Sequence, residues 1–447
     1  MLDHCDRFSY IGVRGNASTQ VAEHLRSNQK ASSSTYCQCR PISGMDSTTL
    51  GMDVVIIGGG PGGLAAALAL HKAAPQLKVA VYERCPALSR RGAGLGLDVN
   101  GQKALRAIDP AVHVELLKQA AFLKTQRVLA ADGTLVKETE ISKNRQEFEQ
   151  QGYRTPCLLG WYEIQQMLLR ALPQSTAVQL GSEFDHYDQD ASTGLLTVHF
   201  KGSQQPPVQA GLLVAADGYF SRVRRQAVGD GPPSYGKTVV WRARLPAASA
   251  VVAGLDLQDS SSAFVQDSGR FFFAYPINSG DYVWTVGVSG CHVTAMFVLV
   301  ILCLWPNTIL QSCRDMTPAA YGSGRVLVMG DAAHPLRPTG QGLNQAMEDA
   351  WGVGAALAGA AAVGQPQLAA VQEFRQQRAQ RMRTIVAYTT ASGEAAYKRS
   401  MDNAQAEKAM GPDTAIMSAD KFLKFCYDVA FEDLTTLLAQ EQLALAG

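Results

Sequence analysis

Charge of either sign is scarce in this chain of 447 residues. Charged residues make up 18% of it, against roughly 25% in an average soluble domain. Lys plus Arg total 40 and Asp plus Glu total 39, so the formal net charge is +1. This balance excludes the basic field that binds nucleic acid or an anionic membrane, and it excludes an acidic disordered chain. We therefore expect no nucleic-acid partner.

The cysteine and histidine patterns of disulfide frameworks and common metal sites are also missing. The nine cysteines are an odd number and include no Cys-x-x-Cys. A chain of this length does not need disulfides, so the pattern indicates reduced thiols in a reducing compartment. The eight histidines are scattered, with no His-Glu-x-x-His. We expect no metal site.

Residues 1–51 differ in composition from the rest. The stretch from Ser27 to Thr49 is rich in Ser and Thr and holds one acidic residue, Asp46. Such a leader fits a transit peptide for a plastid or mitochondrion. A disordered extension, or an upstream start codon before Met45 or Met52, fits as well, and the protein would then be cytoplasmic.

A strand–turn–helix–strand pattern begins at Met52. Val54–Ile57 is a continuous apolar run, as in a strand buried on both faces. A glycine-rich turn follows, then the helix-forming Leu64–Leu70 and the apolar strand Lys78–Glu83. This order predicts two parallel strands joined by a right-handed crossover.

The turn carries the spacing Gly-x-Gly-x-x-Gly, and Glu83 ends the next strand twenty residues after Gly63. This context indicates a dinucleotide site, with the phosphates against the amides at the helix start. An acid at position 83 would bind ribose hydroxyls and disfavour a 2′-phosphate, so FAD or NAD fits better than NADP. The predicted phosphate-binding turn comprises Gly58, Gly60, Pro61, Gly62 and Gly63.

A second glycine-rich region follows a later strand. The strand Gly324–Asp331 ends in Gly330 and Asp331, and this acid is placed to bind the polyol chain of a ligand. The next loop opens a helix, and its amides would favour negative charge such as that of a reduced flavin ring. The candidate residues in this loop are Pro338, Gly340, Gly342, Leu343 and Asn344.

A third motif, Asp217-Gly218, follows the strand Gly211–Ala216. Between these motifs the chain is rich in β-branched and aromatic residues, which predicts strands. The predicted strands include Leu195–Phe200, Thr238–Arg242 and Tyr282–Val286.

In this order the three motifs resemble those of the flavin-dependent aromatic hydroxylases, which include p-hydroxybenzoate hydroxylase, salicylate hydroxylase and zeaxanthin epoxidase. The resemblance implies that the first motif binds the ADP part of FAD. It implies that Asp217 and Gly218 lie near the pyrophosphate and take part in NAD(P)H use, and that Gly330 and Asp331 hold the ribitol. Arg84 and Arg91, in the segment after the ribose acid, are further candidate FAD contacts. The helix Phe374–Arg381 also looks like a family element.

The resemblance implies an α/β protein: a doubly wound, Rossmann-type FAD-binding domain with an inserted mixed β-sheet substrate domain. The expected FAD-binding parts are about 52–125, 155–230 and 322–390. The substrate domain takes about 126–154 and 231–321, and a helical extension 391–447.

The implied reaction is a monooxygenation. NAD(P)H would reduce FAD, and a flavin C4a-hydroperoxide formed with molecular oxygen would transfer one oxygen atom to a phenolic, quinoid or polyene small molecule. Because the cofactor carries the chemistry, no catalytic residue is assigned. A reductase or dehydrogenase of the same fold, or a non-catalytic FAD-binding protein, remains an alternative. The oligomeric state is left open.

Two departures from the family pattern stand out. Trp161 occupies the place of an Arg that reaches FAD in the family, and Arg127 or Arg154 could substitute for it. The segment 290–307 replaces expected substrate-domain sequence with the apolar run Val293–Trp305. This run is too short to span a ~30 Å bilayer. A buried strand or helix, intron-derived sequence and a membrane-associating patch all remain open.

Overall fold

The computed structural model describes most of the chain after Gly51. The described residues all belong to one unit, Arg40–Gly447. They are 51–88, 94–130, 134–141, 146–154, 156–202, 205–231, 238–246, 261–267, 270–289, 306–307, 316–336, 340–359, 368–401, 419–437 and 439–440. The leader, Arg91, Pro338 and most of the segment 290–307 lie outside them.

The first sheet has seven strands in the order β8-β2-β1-β11-β10-β9, with β17 also pairing with β11. The strands β8, β2, β1, β11 and β17 run parallel, whereas β10 and β9 are antiparallel additions. The seven strands are β1 (Gly51–Ile57), β2 (Val79–Glu83), β8 (Ala177–Leu180), β9 (Phe184–Gln189), β10 (Leu196–Phe200), β11 (Val208–Ala215) and β17 (Val326–Val328).

Helices cover this sheet, and small residues let them approach closely. The first helix, α1, is buried along most of its length because it is rich in Gly and Ala. A Cβ added at Gly354 would lie 3.0 Å from Ala69 Cβ, so glycine lets the helix that contains it pack tightly on α1. The helices are α1 (Pro61–Ala73), α2 (Val99–Ile108), α3 (Pro110–Gln119), α4 (Gln146–Gln150), α5 (Trp161–Ala171), α6 (Arg222–Ala227), α7 (Gly342–Leu357), α8 (Leu368–Met401) and α9 (Ala419–Tyr427).

The second sheet also has seven strands, in the order β16-β12-β15-β14-β13-β5-β6. All neighbours are antiparallel except β13 and β5. The strands are β5 (Thr125–Leu129), β6 (Leu135–Glu140), β12 (Thr238–Pro246), β13 (Ser261–Asp267), β14 (Arg270–Pro276), β15 (Asp281–Ser289) and β16 (Pro306–Asn307). A small third sheet joins β3 (Gly94–Leu97), β7 (Cys157–Gly160) and β4 (Ala121–Phe122) in the order β3-β7-β4.

The predicted fold class is confirmed: a parallel sheet with crossover helices is combined with a second, mixed sheet. The predicted strands at 195–200, 211–216, 238–242 and 282–286 each overlap an observed strand. The predicted strand 324–331 is shorter, covering Val326–Val328, because the chain then turns at Gly330 with φ +58°. None of the described helices combines the length and apolar composition that a membrane span requires.

Candidate active site

The three sequence motifs leave the first sheet at one edge. Ile57 pairs with Tyr82 on one side and with Ala215 on the other, and Ala215 pairs with Val328. Since these strands are parallel, their carboxyl ends lie together, and so do the loops that follow them. Ligands of open α/β sheets bind at this edge.

The first glycine turn requires its glycines. Gly58 has φ +110°, and a Cβ there would lie 2.3 Å from the carbonyl oxygen of Ala216. A Cβ at Gly63 would lie 2.0 Å from the carbonyl oxygen of Gly58. These positions hold the turn against β11 and hold α1 against the turn.

The start of α1 has the properties of an anion site. Gly60 provides no side-chain cap, and the first turn contains no acidic residue. The free amides and the positive end of the helix dipole therefore face the strand-end edge. Glu83 accepts hydrogen bonds from the amides of Gly59 (2.7 Å) and Cys85 (2.9 Å), so its carboxylate is held beside the turn.

The turn and the Gly330-Asp331 loop are neighbours across one alanine of α7. A Cβ at Gly62 would lie 3.4 Å from Ala346 Cβ, and a Cβ at Gly330 would lie 3.6 Å from the same atom. The two loops are therefore close enough for one extended ligand to contact both.

Asp331 lies at the mouth of this region. Its side chain is exposed, yet the surrounding protein desolvates it and raises its pKa, while His334 and Arg242 act in the opposite direction. A Cβ at Gly342 would lie 3.8 Å from Asp331 Oδ1. The carboxylate can be reached from solvent but is closely surrounded by protein atoms. It therefore suits a ligand whose hydroxyl groups donate hydrogen bonds to it.

Asp217 has one oxygen satisfied and one free. Its Oδ2 accepts the amides of Arg222 (2.8 Å) and Val223 (3.3 Å), which anchors the start of α6. Its Oδ1 is buried without a hydrogen-bond partner among the described residues, and desolvation raises the pKa of the carboxyl. Gly218 follows with φ +79°. The unpaired oxygen marks a place for a donor from a ligand or solvent.

Arg224 joins the Asp217 loop to the Asp331 loop. This buried guanidinium donates to the carbonyl oxygens of Ala320 (3.0 Å), Ala332 (3.1 Å) and Ala333 (2.7 Å). It also pairs with Asp230 at 2.6 Å. The two loops are thus held in one fixed arrangement.

A buried charge network lies beneath Gly330. Asp349 Oδ2 accepts the Gly330 amide at 2.7 Å and lies 2.6 Å from His334 Nε2, while its Oδ1 accepts from Arg378 at 2.6 Å. Arg378 also binds Glu348 at 2.8 Å. In this arrangement the His334 side chain helps Asp349 to hold the Gly330-Asp331 loop in position.

Acid should weaken this network. Burial alone would raise the pKa of Asp349, but Arg378 and His334 outweigh burial and lower it to about 2. The carboxylate therefore stabilises the fold above its unfolded pKa of about 3.9 and loses that contribution as the pH falls toward about 2. We expect the free energy of unfolding, measured by urea titration, to drop between about pH 4 and pH 2. In Asp349→Asn the drop should be smaller, and an equal drop would contradict this assignment.

The second glycine loop is tied to β3 by Asn344. This buried side chain accepts the Asp98 amide at 2.8 Å and donates to the Gly340 carbonyl at 2.6 Å. Gly340 has φ +82°, and the neighbouring Leu343 is partly buried. Gly340 and the start of α7 are therefore anchored to the residue that follows β3.

The remaining candidates are dispersed. Arg84 is exposed. Arg127 on β5 pairs across the strands with Ala263 on β13 and with Glu138 on β6. Its Nε lies 3.5 Å from Glu138 Oε2. The Arg154 guanidinium lies over the Phe122 ring at 5.1 Å. Trp161 is the residue beside the turn, since its Cζ2 would lie 3.7 Å from a Cβ at Gly60.

One face of the second sheet looks toward the edge where the loops meet. Tyr275 donates from its hydroxyl to the Gly94 carbonyl at 2.9 Å. Burial raises the pKa of Tyr275 to about 12, with Arg242 opposing, so the phenol stays protonated at neutral pH. Arg242 is in electrostatic reach of both Tyr275 and Asp331. The sheet therefore brings a cation and a phenol to the site.

Sequence reasoning missed the parts that hold the loops in place. It did not identify Gln165, whose Nε2 donates to the Gly59 carbonyl at 2.7 Å, nor the roles of Arg224 and Asp349. In the sequence, the only indication of these roles is that the three residues lie on helices that follow or precede a glycine motif.

Comparison with known proteins agrees with this geometry. A family model described as an FAD binding domain matches residues 51–287 and 310–389, and the break between them contains the whole of the unusual segment 290–307. The 6-methylsalicylate 1-monooxygenase of Aspergillus terreus is 29% identical over 334 residues, covering 67% of this chain and 73% of that protein. The 3-amino-4-hydroxybenzoate 2-monooxygenase of Streptomyces cremeus is 29% identical over 320 residues, covering 66% of this chain and 76% of that protein.

A solved structure shares the fold. HpxO of Klebsiella pneumoniae, in complex with FAD and uric acid, superposes with a TM-score of 0.65 at 20% identity, covering 88% of this chain and 97% of that chain. The uncapped start of α1, the enclosed Asp331 and the unpaired oxygen of Asp217 are each suited to one part of an FAD molecule. Because the family model spans most of its length, the chain belongs to the FAD-binding-domain family, and it is an FAD-dependent monooxygenase.

Proposed function

We propose that this enzyme uses NAD(P)H and molecular oxygen to hydroxylate a phenolic aromatic acid. The balanced reaction consumes the substrate, O2, NAD(P)H and one proton, and it yields the hydroxylated product, water and NAD(P)+. Quinoid and polyene substrates belong to the same wider class, but the charge at the site favours an anion.

The main support for this proposal is the environment of the Arg242 side chain. Its neighbour on the same face of β12, Arg244, is neutralised by Glu163 at 3.1 Å and Asp281 at 3.1 Å. Arg242 forms no hydrogen bond or ion pair within the residues that the structure describes. Asp331 acts on Arg242 only through longer-range electrostatics. A partly buried guanidinium without an ion-pair partner is suited to a carboxylate or phenolate.

The names of the two relatives point to the same substrate class. Each is named for a hydroxylated aromatic acid, 6-methylsalicylate in one case and 3-amino-4-hydroxybenzoate in the other. Both compounds combine a ring, a phenol and a carboxylate, which matches a site with an arginine and aromatic side chains.

Bound FAD supplies the electron transfer and oxygen activation. The protein's residues would hold it in parts: the α1 amides the phosphates, Glu83 the ribose, and Asp331 the ribitol. Burial raises the pKa of Tyr275 to about 12, so its hydroxyl remains a neutral donor that joins the second sheet to Gly94. Arg242 would orient the acidic group of the substrate and shield its charge from Asp331.

The experiment is a substrate panel under labelled oxygen. The enzyme reconstituted with FAD is given NADH or NADPH, ¹⁸O₂, and either 6-methylsalicylate or 3-amino-4-hydroxybenzoate. We expect substrate-dependent NAD(P)H oxidation and one labelled oxygen atom in the product. NAD(P)H oxidation that yields no labelled product from these or other phenolic acids would instead identify a reductase or oxidase.

Replacing Arg242 tests the residue directly. We expect Arg242→Met to raise the KM for the phenolic acid by roughly tenfold or more, because a hydrogen bond to a charged group contributes ~1.5–3 kcal/mol. Arg242→Lys should recover part of the loss, and FAD binding should be unchanged in both. Arg170→Met, at an exposed site at the end of α5, is the matched control. Equal KM values in all four proteins would exclude a role for Arg242 in substrate binding.

A further inference from the structure

Two histidines face each other on the antiparallel edge of the first sheet. His186 on β9 and His199 on β10 are directly paired across the strands. Asp188 lies two residues after His186 and therefore projects from the same face, since side chains alternate along a strand. The intervening Tyr187 projects to the other face and packs against the core.

The three side chains converge on one point. Asp188 Oδ2 lies 3.0 Å from His199 Nε2 and 3.7 Å from His186 Nε2. One ligand atom from each residue fits within 4.8 Å of the other two. A tetrahedral ion with bonds of ~2.0–2.1 Å needs its ligand atoms about 3.3 Å apart, so rotation of the side chains about their χ angles is needed to complete the geometry.

The surroundings prepare the imidazoles for a cation. His186 Nδ1 lies 3.0 Å from Asp185 Oδ2, an arrangement that places the proton on Nδ1 and leaves Nε2 as the free ligand atom. His199 Nε2 is shielded from solvent and has no aligned hydrogen bond among the described residues. The two rings stack on the same face of the sheet, with centroids 4.3 Å apart and an interplanar angle of 5°. One ring must rotate out of this stack for both imidazole planes to meet at one ion.

The nearby basic side chains, Lys201 and Arg222, form their ion pairs with a residue other than Asp188. Lys201 pairs with Glu183 at 3.2 Å and Arg222 pairs with the same Glu183 at 2.9 Å. Asp188 is therefore paired only with the two histidines, among the side chains that the structure describes.

We propose that His186, Asp188 and His199 form a binding site for a divalent transition-metal ion, with Zn²⁺ the best match to two imidazoles and one carboxylate. Solvent completes the coordination, because Asp188 and His186 are exposed. The ion joins β9 to β10 and so fastens the outer strands of the FAD-binding sheet. Since β10 and β11 separate β9 from β1, the site is distinct from the glycine turn that binds FAD.

Zinc titration of the FAD-loaded full chain tests the site. We expect one equivalent of Zn²⁺ to bind, as measured by competition with a chromogenic chelator, and to raise the melting temperature. His199→Ala should abolish both effects while FAD content stays at the wild-type level. Asp185→Asn, which removes the partner of His186 Nδ1, should weaken zinc binding by roughly 10–100-fold.

Two comparisons keep the test decisive. His71→Ala changes a histidine on α1, outside the cluster, and should bind zinc like the wild type. His199→Gln serves as the second variant should the alanine variant fold poorly, and it should also lose zinc binding. Wild-type protein that binds no zinc at micromolar concentration, or binding that survives His199→Ala because thiols provide it, would overturn the proposal.

Discussion

Gly63→Ala is expected to yield a protein without bound FAD and with greatly reduced stability. The new Cβ would lie 2.0 Å from the Gly58 carbonyl oxygen, and the clash is with backbone, so no side-chain rotation relieves it. Overpacking typically costs ~1–3 kcal/mol, and a clash with rigid backbone lies at the upper end of this range. It would also move the start of α1 away from β1. The melting temperature and the visible absorption of bound flavin measure the two effects.

The neighbouring glycine provides the matched control for folding. A Cβ at Gly62 would lie 3.4 Å from Ala346 Cβ, which is an ordinary contact. We expect Gly62→Ala to fold with stability close to that of the wild type, because Ala is also the better helix former. If Gly63→Ala melted at the wild-type temperature and retained FAD, the close approach of α1 to the turn would not be the reason for a glycine there.

Removing the guanidinium of Arg378 should have the largest effect among the substitutions outside the ligand site. Arg378→Met would remove the cation that the buried Asp349 and Glu348 share. Glu348 would keep its ion pair with Arg381, whereas Asp349 would keep only His334 among the described partners. Breaking a buried ion pair in this way costs ~3–5 kcal/mol. Since Asp349 also holds the Gly330 amide, FAD affinity should fall as well. Urea unfolding and flavin titration measure the two effects.

Gln377→Ala is the control on the same helix. Gln377 is exposed and its side chain bonds only to Glu373, at 3.0 Å, among the contacts that the structure describes. We expect a change within about 0.5 kcal/mol, as at other surface sites. A similarly small change in Arg378→Met would show that the network does not support the Gly330 loop.

The sequence was most informative where a local pattern has one structural solution. The run Val54–Ile57, the glycine turn and Glu83 are close in sequence, and only a parallel strand–helix–strand unit accommodates them. The Gly330-Asp331 pair was found in the same way, because it follows a buried strand. Family resemblance extended these local patterns to the order of the whole chain.

Pairings between distant segments could not be predicted. His186 and His199 come together only through the register of β9 and β10, and the expectation of no metal site arose because no short spacing joins them. Arg244 has Glu163 and Asp281 as ion-pair partners, whereas Arg242 has none among the described residues. Asp349 reaches Gly330 through the packing of α7. Such contacts depend on strand register and helix packing, which residue composition does not specify.

Hydrogen–deuterium exchange during FAD titration tests most directly whether one dinucleotide contacts both loops. Amides in 58–64 and in 329–336 should become protected together, with the same dependence on FAD concentration, because Gly62 and Gly330 flank the same alanine. Gly202, for which an added Cβ would meet nothing within 4 Å, lies in a segment whose exchange should not change. Protection of the first loop without the second, at saturating FAD, would contradict the account.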